Sequence, residues 1–256
     1  MKKTLVYGHN SFIAKNFVDE YSDKLKFFFF KKKYNSGKKI FFENELKSFL
    51  KVNKIEYLIN FAANNDNSNN FLNFNKILES NFYLPISLIK ICSELKITLV
   101  LFLSKDMANI NQTKNLYSLS KKMLHTYIIS SENHNKLRIF DIDSVFGPND
   151  LNTKRIISAI SYNLFSKDKK KTIKIENLNQ SKKFIFVKKL NKVIFKNLFI
   201  KKKFLLSSIK SEKYNLKDLI RIANKVKKNE NLKSIKKKHV DFLNTFKWYK
   251  DYYGEK

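Results

Sequence analysis

A length of 256 residues with 43% hydrophobic side chains fits one large soluble globular domain, or one domain with a small appendage. No apolar run reaches the length that spans a bilayer, the first apolar stretch breaks at Gly8 too early for a signal-peptide core, and the single cysteine, Cys92, excludes an internal disulfide; a reducing cytoplasm is the expected location. The net charge of +30 comes from lysines scattered along the whole chain, beside abundant Asn, Ile and Phe, which is the pattern of AT-rich coding with solvated lysine faces; with no readout motif beside the charge, nucleic-acid binding is not expected.

In chain order, Thr4 to Gly8 reads as a short strand closed by glycine, and Ser11 to Tyr21 as a helix with Phe12, Ile13, Phe17, Val18 and Tyr21 at helical spacing. Lys26 to Phe30 is a second strand, its phenylalanines core rather than a base-stacking platform. Lys38 to Phe42 reads as a third strand, and Glu43 to Asn53 as a helix with Leu46, Phe49 and Leu50 inward. Glu56 to Ala62 is a fourth strand, apolar enough to be buried on both faces, and an Asn-rich loop from Asn64 to Asn70 follows it. Phe82 to Leu95 is a helix with Cys92 on its apolar side, Ile97 to Leu103 a fifth strand, Leu116 to Ser130 a helix, and Lys136 to Val145 contains a sixth strand. Past residue 150 the pattern weakens to a strand at Ser181 to Val187, a strand at Phe204 to Ser208 and a helix at Leu216 to Val226. Trp248, Tyr249, Tyr252 and Tyr253 form an aromatic tail expected to pack on the body or on a partner.

Alternation of this kind predicts an α/β fold, a parallel sheet with helices on both faces. Ligands of such sheets bind beyond the carboxyl ends of the strands, which singles out residues 8–14, 62–70 and 104–109. The four histidines, His9, His125, His134 and His239, have no metal-ligand spacing, and no metal is expected.

Two constellations carry chemistry. Gly8, Ser11 and Ala14 stand three apart in a strand-to-helix turn, where small residues let backbone approach a pyrophosphate; alone, the segment fits an ordinary strand-turn-helix equally well. Tyr117 and Lys121 stand four apart on one helix face. A phenol of pKa about 10 serves as a proton donor or acceptor at neutral pH only when a nearby cation favours its phenolate, and a lysine one turn away supplies that charge. Among so many lysines such a pair also arises as a solvated helix face; its place after the fifth strand favours the functional reading.

Through most of its length the chain resembles the extended short-chain dehydrogenase/reductases, in the NAD-dependent epimerase/dehydratase group that modifies nucleotide sugars. Tyr7-Gly8-His9-Asn10-Ser11-Phe12-Ile13-Ala14 is similar to the family's Thr-Gly-x-x-Gly-Phe-Ile-Gly turn, and Ile59-Asn60-Phe61-Ala62-Ala63 to its strand motif ending in Ala-Ala. Glu79-Ser80-Asn81 resembles the Asn-bearing start of the next helix, and Leu116-Tyr117-Ser118-Leu119-Ser120-Lys121 the catalytic helix. Val145-Phe146-Gly147-Pro148-Asn149-Asp150 resembles the Tyr-Gly-Pro segment, Phe184-Ile185-Phe186-Val187 the Arg-Asp-Phe-Ile-Tyr-Val strand, and Ser211 to Val226 the late helix.

The resemblance implies a Rossmann doubly wound sheet with a small C-terminal α+β part. Residues 1–150 would bind NAD(P) and 151–256 mainly the substrate, with the late strand and helix returning to the core. It implies that Tyr117 exchanges a proton with a sugar oxygen, that Lys121 holds the nicotinamide ribose and lowers the tyrosine pKa, and that Ser104 hydrogen-bonds the same oxygen. Gly8, Ser11, Phe12, Ile13, Ala14, Phe61, Ala62 and Ala63 would line the cofactor, and Asn81 and Lys182 the substrate. A homodimer through a helix bundle that includes the Tyr117 helix is implied as well.

Four departures stand out. Ser11 and Ala14 replace glycines, Lys105 stands where relatives carry a catalytic hydroxyl, the stretch from Ser104 to Tyr117 is short, and Lys182-Lys183 replaces Arg-Asp. After the second strand comes Lys31-Lys32-Lys33 rather than a carboxylate, which favours NADP over NAD. The resulting expectation is an NAD(P)-dependent reductase of a 4-keto-6-deoxy sugar nucleotide for surface polysaccharide. The alternatives are an epimerase of the same family, or a non-catalytic dinucleotide-binding relative with eroded glycines.

Overall fold

The structure, a computed structural model, describes residues 1–65, 73–105, 115–131, 135–168, 173–175, 178–230, 232 and 235–254. In chain order the elements are β1 (Lys2–Tyr7), α1 (Phe12–Tyr21), β2 (Leu25–Phe28), α2 (Lys39–Val52), β3 (Tyr57–Asn60), α3 (Phe74–Leu78), α4 (Leu84–Glu94), β4 (Thr98–Ser104), α5 (Leu116–Ser130) and β5 (Leu137–Ile142). They continue as β6 (Ser144–Phe146), α6 (Ile156–Phe165), β7 (Ser181–Phe186), α7 (Val187–Leu198), β8 (Phe204–Ser208), β9 (Glu212–Asn215), α8 (Leu216–Lys227) and α9 (Val240–Gly254). The chain divides into two compact units, residues 1–143 with 191–209, and residues 144–190 with 210–256.

The first unit is a six-stranded, all-parallel sheet in the order β2-β1-β3-β4-β5-β8. Leu5, Val6, Leu58, Ile59, Leu99, Val100 and Leu101 are all buried, as strands covered by helices on both faces require. From β1 the order runs to β2 on one side and β3 on the other, so the crevice of this doubly wound α/β fold opens where β1 and β3 end.

Two sequence expectations are corrected here. Lys38 to Phe42 is not a strand. A short turn over Ser36–Lys38 leads straight into α2, and Phe42, Leu46 and Leu50 bury one helical stripe while Ile40 and Phe41 stay 76% and 61% exposed. The run is apolar, but its burial has a period near four residues, not two. The helix expected at Phe82 begins earlier, at Phe74, and reaches α4 through a π turn over Glu79–Tyr83 that turns Asn81 into the interior. Of the Phe27 to Phe30 run, Phe30 is core whereas Phe29 is 39% exposed, against the His9 ring at 5.3 Å. The Asn-rich stretch lies outside the described residues from residue 66 onward, as do Asp106, Met107 and His134.

Arg138 of β5 is buried, and its guanidinium donates to the carbonyls of Leu137 (3.1 Å), Asn197 (3.3 Å) and Ile200. Asn197 stands in the last turn of α7 and Ile200 just past it, where a cation also meets the negative end of the helix dipole. Arg138→Met leaves those carbonyls without a donor and is expected to destabilise the protein by about 2–4 kcal/mol, read from urea denaturation.

The second unit has a three-stranded sheet in the order β6-β7-β9, with β6 parallel and β9 antiparallel to β7. Its core is aromatic: Phe146, Phe184, Tyr214, Phe242 and Phe246 are buried, and Phe146 stacks on Phe242 at 3.8 Å. The aromatic tail packs on its own unit through α9. Tyr249 is fully buried, its hydroxyl donates to the carbonyl of Asp150, and Ser158 donates to the same oxygen at 2.6 Å.

Candidate active site

Gly8 directly follows β1 at φ +76°, the left-handed region that favours glycine. A Cβ there would lie 2.4 Å from the amide nitrogen of Ala62, 2.7 Å from its Cα and 2.8 Å from the carbonyl carbon of Phe61. The turns after β1 and β3 therefore meet backbone to backbone. Ser11 occupies the next small position at φ −69°, where serine costs nothing, and caps α1 by accepting from the Ala14 N–H at 3.2 Å. That bond uses an oxygen lone pair, not the hydroxyl proton. Ala14 is fully buried and Phe12 nearly so, while Ile13 is half-buried. The two glycine replacements fit the turn, because neither position needs positive φ.

The segment after β3 is held firmly. Phe61 donates its N–H to the Tyr7 carbonyl at 2.8 Å, and the buried Asn60 side chain accepts from the Ala62 N–H at 3.0 Å. The Phe61 ring lies between Phe17 (5.8 Å) and Phe102 (5.3 Å), so what it offers a ligand is backbone. Ala63 is exposed and Ala62 half-buried.

Asn81 is fully buried and its amide is fully engaged. The oxygen accepts from the Asn64 N–H at 2.9 Å, and the nitrogen donates to the Asn64 carbonyl at 2.8 Å and to the Ser120 hydroxyl at 3.1 Å. Ser120, also buried, donates to the Tyr117 carbonyl at 2.7 Å. The side chain expected at the substrate joins the β3 loop to α5. Asn60 and Ser120 were not singled out from sequence, although both stand inside motifs that were. Asn81→Leu removes the bonds to the N–H and carbonyl of Asn64 and to Ser120 and is expected to cost about 1–3 kcal/mol in a denaturation experiment.

Tyr117 lies half-buried in the first turn of α5, where Asn115 caps the helix by accepting from the Ser118 N–H at 2.8 Å. One turn later Lys121 is 5% exposed and donates to the Phe102 carbonyl of β4 at 3.0 Å. Burial pushes its ammonium down to about 8, so it is cationic at neutral pH. The same helix thus carries the phenol and a desolvated cation, against the strand that ends in the buried Ser104. Between that pKa and the ordinary lysine value the unfolded chain holds the proton more tightly, so the burden Lys121 places on stability is full below pH 8 and lifts as pH rises. Lys121→Met is expected to remove the rise of stability with pH between about 8 and 10.5, read from urea denaturation across that range.

Lys105 does not reach towards α5. Its ammonium pairs with Asp143 at 3.3 Å and donates to the Ile209 carbonyl. Lys31, Lys32 and Lys33 are exposed after β2; Lys32 is taken by Glu45 and lies over the Phe41 ring at 5.0 Å. Lys182 belongs to the second unit, exposed on β7 opposite Tyr214.

A family model described as the NAD dependent epimerase/dehydratase family matches residues 4–198. The sequence matches none of the curated proteins with which it was compared. Among solved structures, the UDP-glucose 4-epimerase of Thermotoga maritima with UDP-glucose is similar at a TM-score of 0.78 and 10% identity, over 98% of this chain and 99% of the other. The UDP-N-acetylglucosamine 4-epimerase of Methanobrevibacter ruminantium, in complex with UDP-N-acetylmuramic acid, is similar at 0.76 and 17% identity, over 98% and 99%. RMD from Pseudomonas aeruginosa complexed with NADPH is similar at 0.74 and 12% identity, over the full length of both chains. At these identities the likeness speaks for the fold, and the family match covers about three quarters of the sequence. With a glycine turn closed on the β3 loop and a Tyr-x-x-x-Lys helix laid along β4, the chain belongs to the NAD-dependent epimerase/dehydratase family of extended short-chain dehydrogenases/reductases.

Proposed function

We propose that the protein is an NAD(P)-dependent oxidoreductase acting on a nucleotide-linked sugar, and that it reduces a 4-keto-6-deoxy sugar nucleotide in the cytoplasm for surface polysaccharide synthesis. The observation that carries this reading is the buried Lys121 ammonium, fixed to Phe102 one helical turn from Tyr117 and beside the strand that ends in Ser104. The residues fit a dinucleotide. Gly8 lets the turns after β1 and β3 close backbone to backbone, α1 presents its N-terminus, and Ser11 keeps a hydroxyl proton to donate. When bound, the nicotinamide supplies or accepts the hydride.

The chain's own residues do the rest. Tyr117 donates its phenolic proton to the sugar oxygen, Lys121 favours the phenolate that results, and the Ser104 hydroxyl donates to the same oxygen. Lys31 and Lys33 receive a 2′-phosphate, which favours NADPH. Lys182 meets the substrate diphosphate, and Asn81 acts by holding the β3 loop rather than by touching substrate. Two copies pair through the α5 face.

The test is NADPH oxidation with dTDP- or CDP-linked 4-keto-6-deoxyglucose. Stoichiometric loss of NADPH supports the reductase. The two epimerases among the similar structures favour the second reading, for which a UDP-sugar is isomerised with no net consumption of cofactor. Binding of NADPH without turnover of either substrate would identify the non-catalytic relative. An affinity for NADH equal to that for NADPH would refute the cofactor choice.

A further inference from the structure

The chain leaves the first unit twice, after Asp143 and after Ile209. These two residues are the acceptors of one ammonium group. Lys105 pairs with the Asp143 carboxylate at 3.3 Å and donates to the Ile209 carbonyl, a residue 104 positions away. Its side chain is 25% exposed and that of Asp143 only 10%, so the pair is partly withdrawn from water and little screened. The surroundings are acidic. Asp141, two residues before Asp143, has a carboxyl raised by burial and drawn back by His125 and Lys105, and its carbonyl accepts from the Ile209 N–H at 2.9 Å. Lys105 itself directly follows Ser104 at the end of β4.

We infer that Lys105 is a positioning residue, a charge clamp that fixes the carboxyl ends of β4, β5 and β8 where the chain leaves the first unit. It takes no part in proton transfer. A lysine directly after β4 reaches both acceptors, whereas a serine or threonine there would be too short. The lysine thus makes a tie across three strand ends, and it leaves Ser104 as the hydroxyl of the site. Only that last step rests on the proposed function; the clamp stands on the first unit alone.

Lys105→Met, Asp143→Asn, their combination and Lys105→Arg are compared by native-state amide exchange at residues 140–143 and 206–209. A charge-assisted hydrogen bond lost from a partly buried site speeds local exchange on the order of tenfold or more. Lys105→Met is expected to do so at both exits together. Asp143→Asn is expected to do so at the Ile209 N–H, although residue 209 is untouched, because the ammonium loses its anchor. The double variant exchanges no faster than Lys105→Met, the non-additivity of residues in one network, and Lys105→Arg restores protection. Acceleration confined to one exit, or additive effects, would overturn the clamp. Should Lys105→Met fail to fold, the Ile209 N–H in Asp143→Asn decides alone. NADPH binding, followed by nicotinamide fluorescence, stays at the wild-type level in Lys105→Met, and a parallel loss would count against a role confined to the strand ends. Wild-type protein that binds no NADPH bears on the proposed function only, since the exchange measurements need no cofactor.

Discussion

Tyr117→Phe is expected to lower turnover of the sugar nucleotide by about 10²–10⁴-fold, the range that general acid-base groups contribute, while NADPH affinity changes by less than about threefold. The substitution removes one oxygen from a half-buried ring in the first turn of α5 and leaves the cap at Asn115, the Ser120 bond to the Tyr117 carbonyl and the Lys121 anchor in place. A fall in kcat with unchanged cofactor binding is the signature of a group that acts on the reacting oxygen. Steady-state kinetics beside a fluorescence titration measures both. Wild-type turnover in the variant would sink the mechanism.

Gly8→Ala is expected to weaken NADPH binding by more than about 100-fold and to cost about 2–4 kcal/mol of stability. An L-residue in the left-handed region loses roughly 1–2 kcal/mol, and the added carbon must displace backbone rather than a yielding side chain. The atoms it meets, the Ala62 nitrogen at 2.4 Å and the Phe61 carbonyl carbon at 2.8 Å, are pinned by the Phe61 bond to Tyr7 and the Ala62 bond to Asn60. Relief therefore spreads the β1 and β3 turns apart, which opens the cradle where a pyrophosphate would lie. Ser11→Gly is the contrast. At φ −69° the serine is unstrained, and losing its cap costs only a few tenths of a kcal/mol. Urea denaturation and cofactor titration of the two variants separate a turn that needs glycine from one that tolerates serine.

Local chemistry explains what was legible in the sequence. The Gly8 turn, the apolar strands β1, β3 and β4, and the Tyr117–Lys121 spacing are properties of neighbours along the chain, and each kept its place in the fold. Lys38 to Phe42 was misread because five residues with an apolar end carry no period of their own. Only the fit of Phe42 with Leu46 and Leu50 shows a helix. The partners of Asn81 were illegible for a different reason. Its partners are 17 and 39 residues away, and a carboxamide reads the same in a sequence whether it faces a ligand or a peptide group.

The sequence by itself determined the α/β class and the family, and set a glycine in the strand-to-helix turn and a tyrosine and a lysine four apart on one helix, because strand apolarity, turn chemistry and helical spacing are local. Tertiary structure decided the rest. It showed that Ser11 and Ala14 sit at angles any residue accepts, that Asn81 and Ser120 join the β3 loop to α5, and that Lys105 turns to Asp143 and Ile209. Those outcomes depend on which distant backbone groups arrive within about 3 Å of a side chain, and that proximity exists only once the parallel strands have paired.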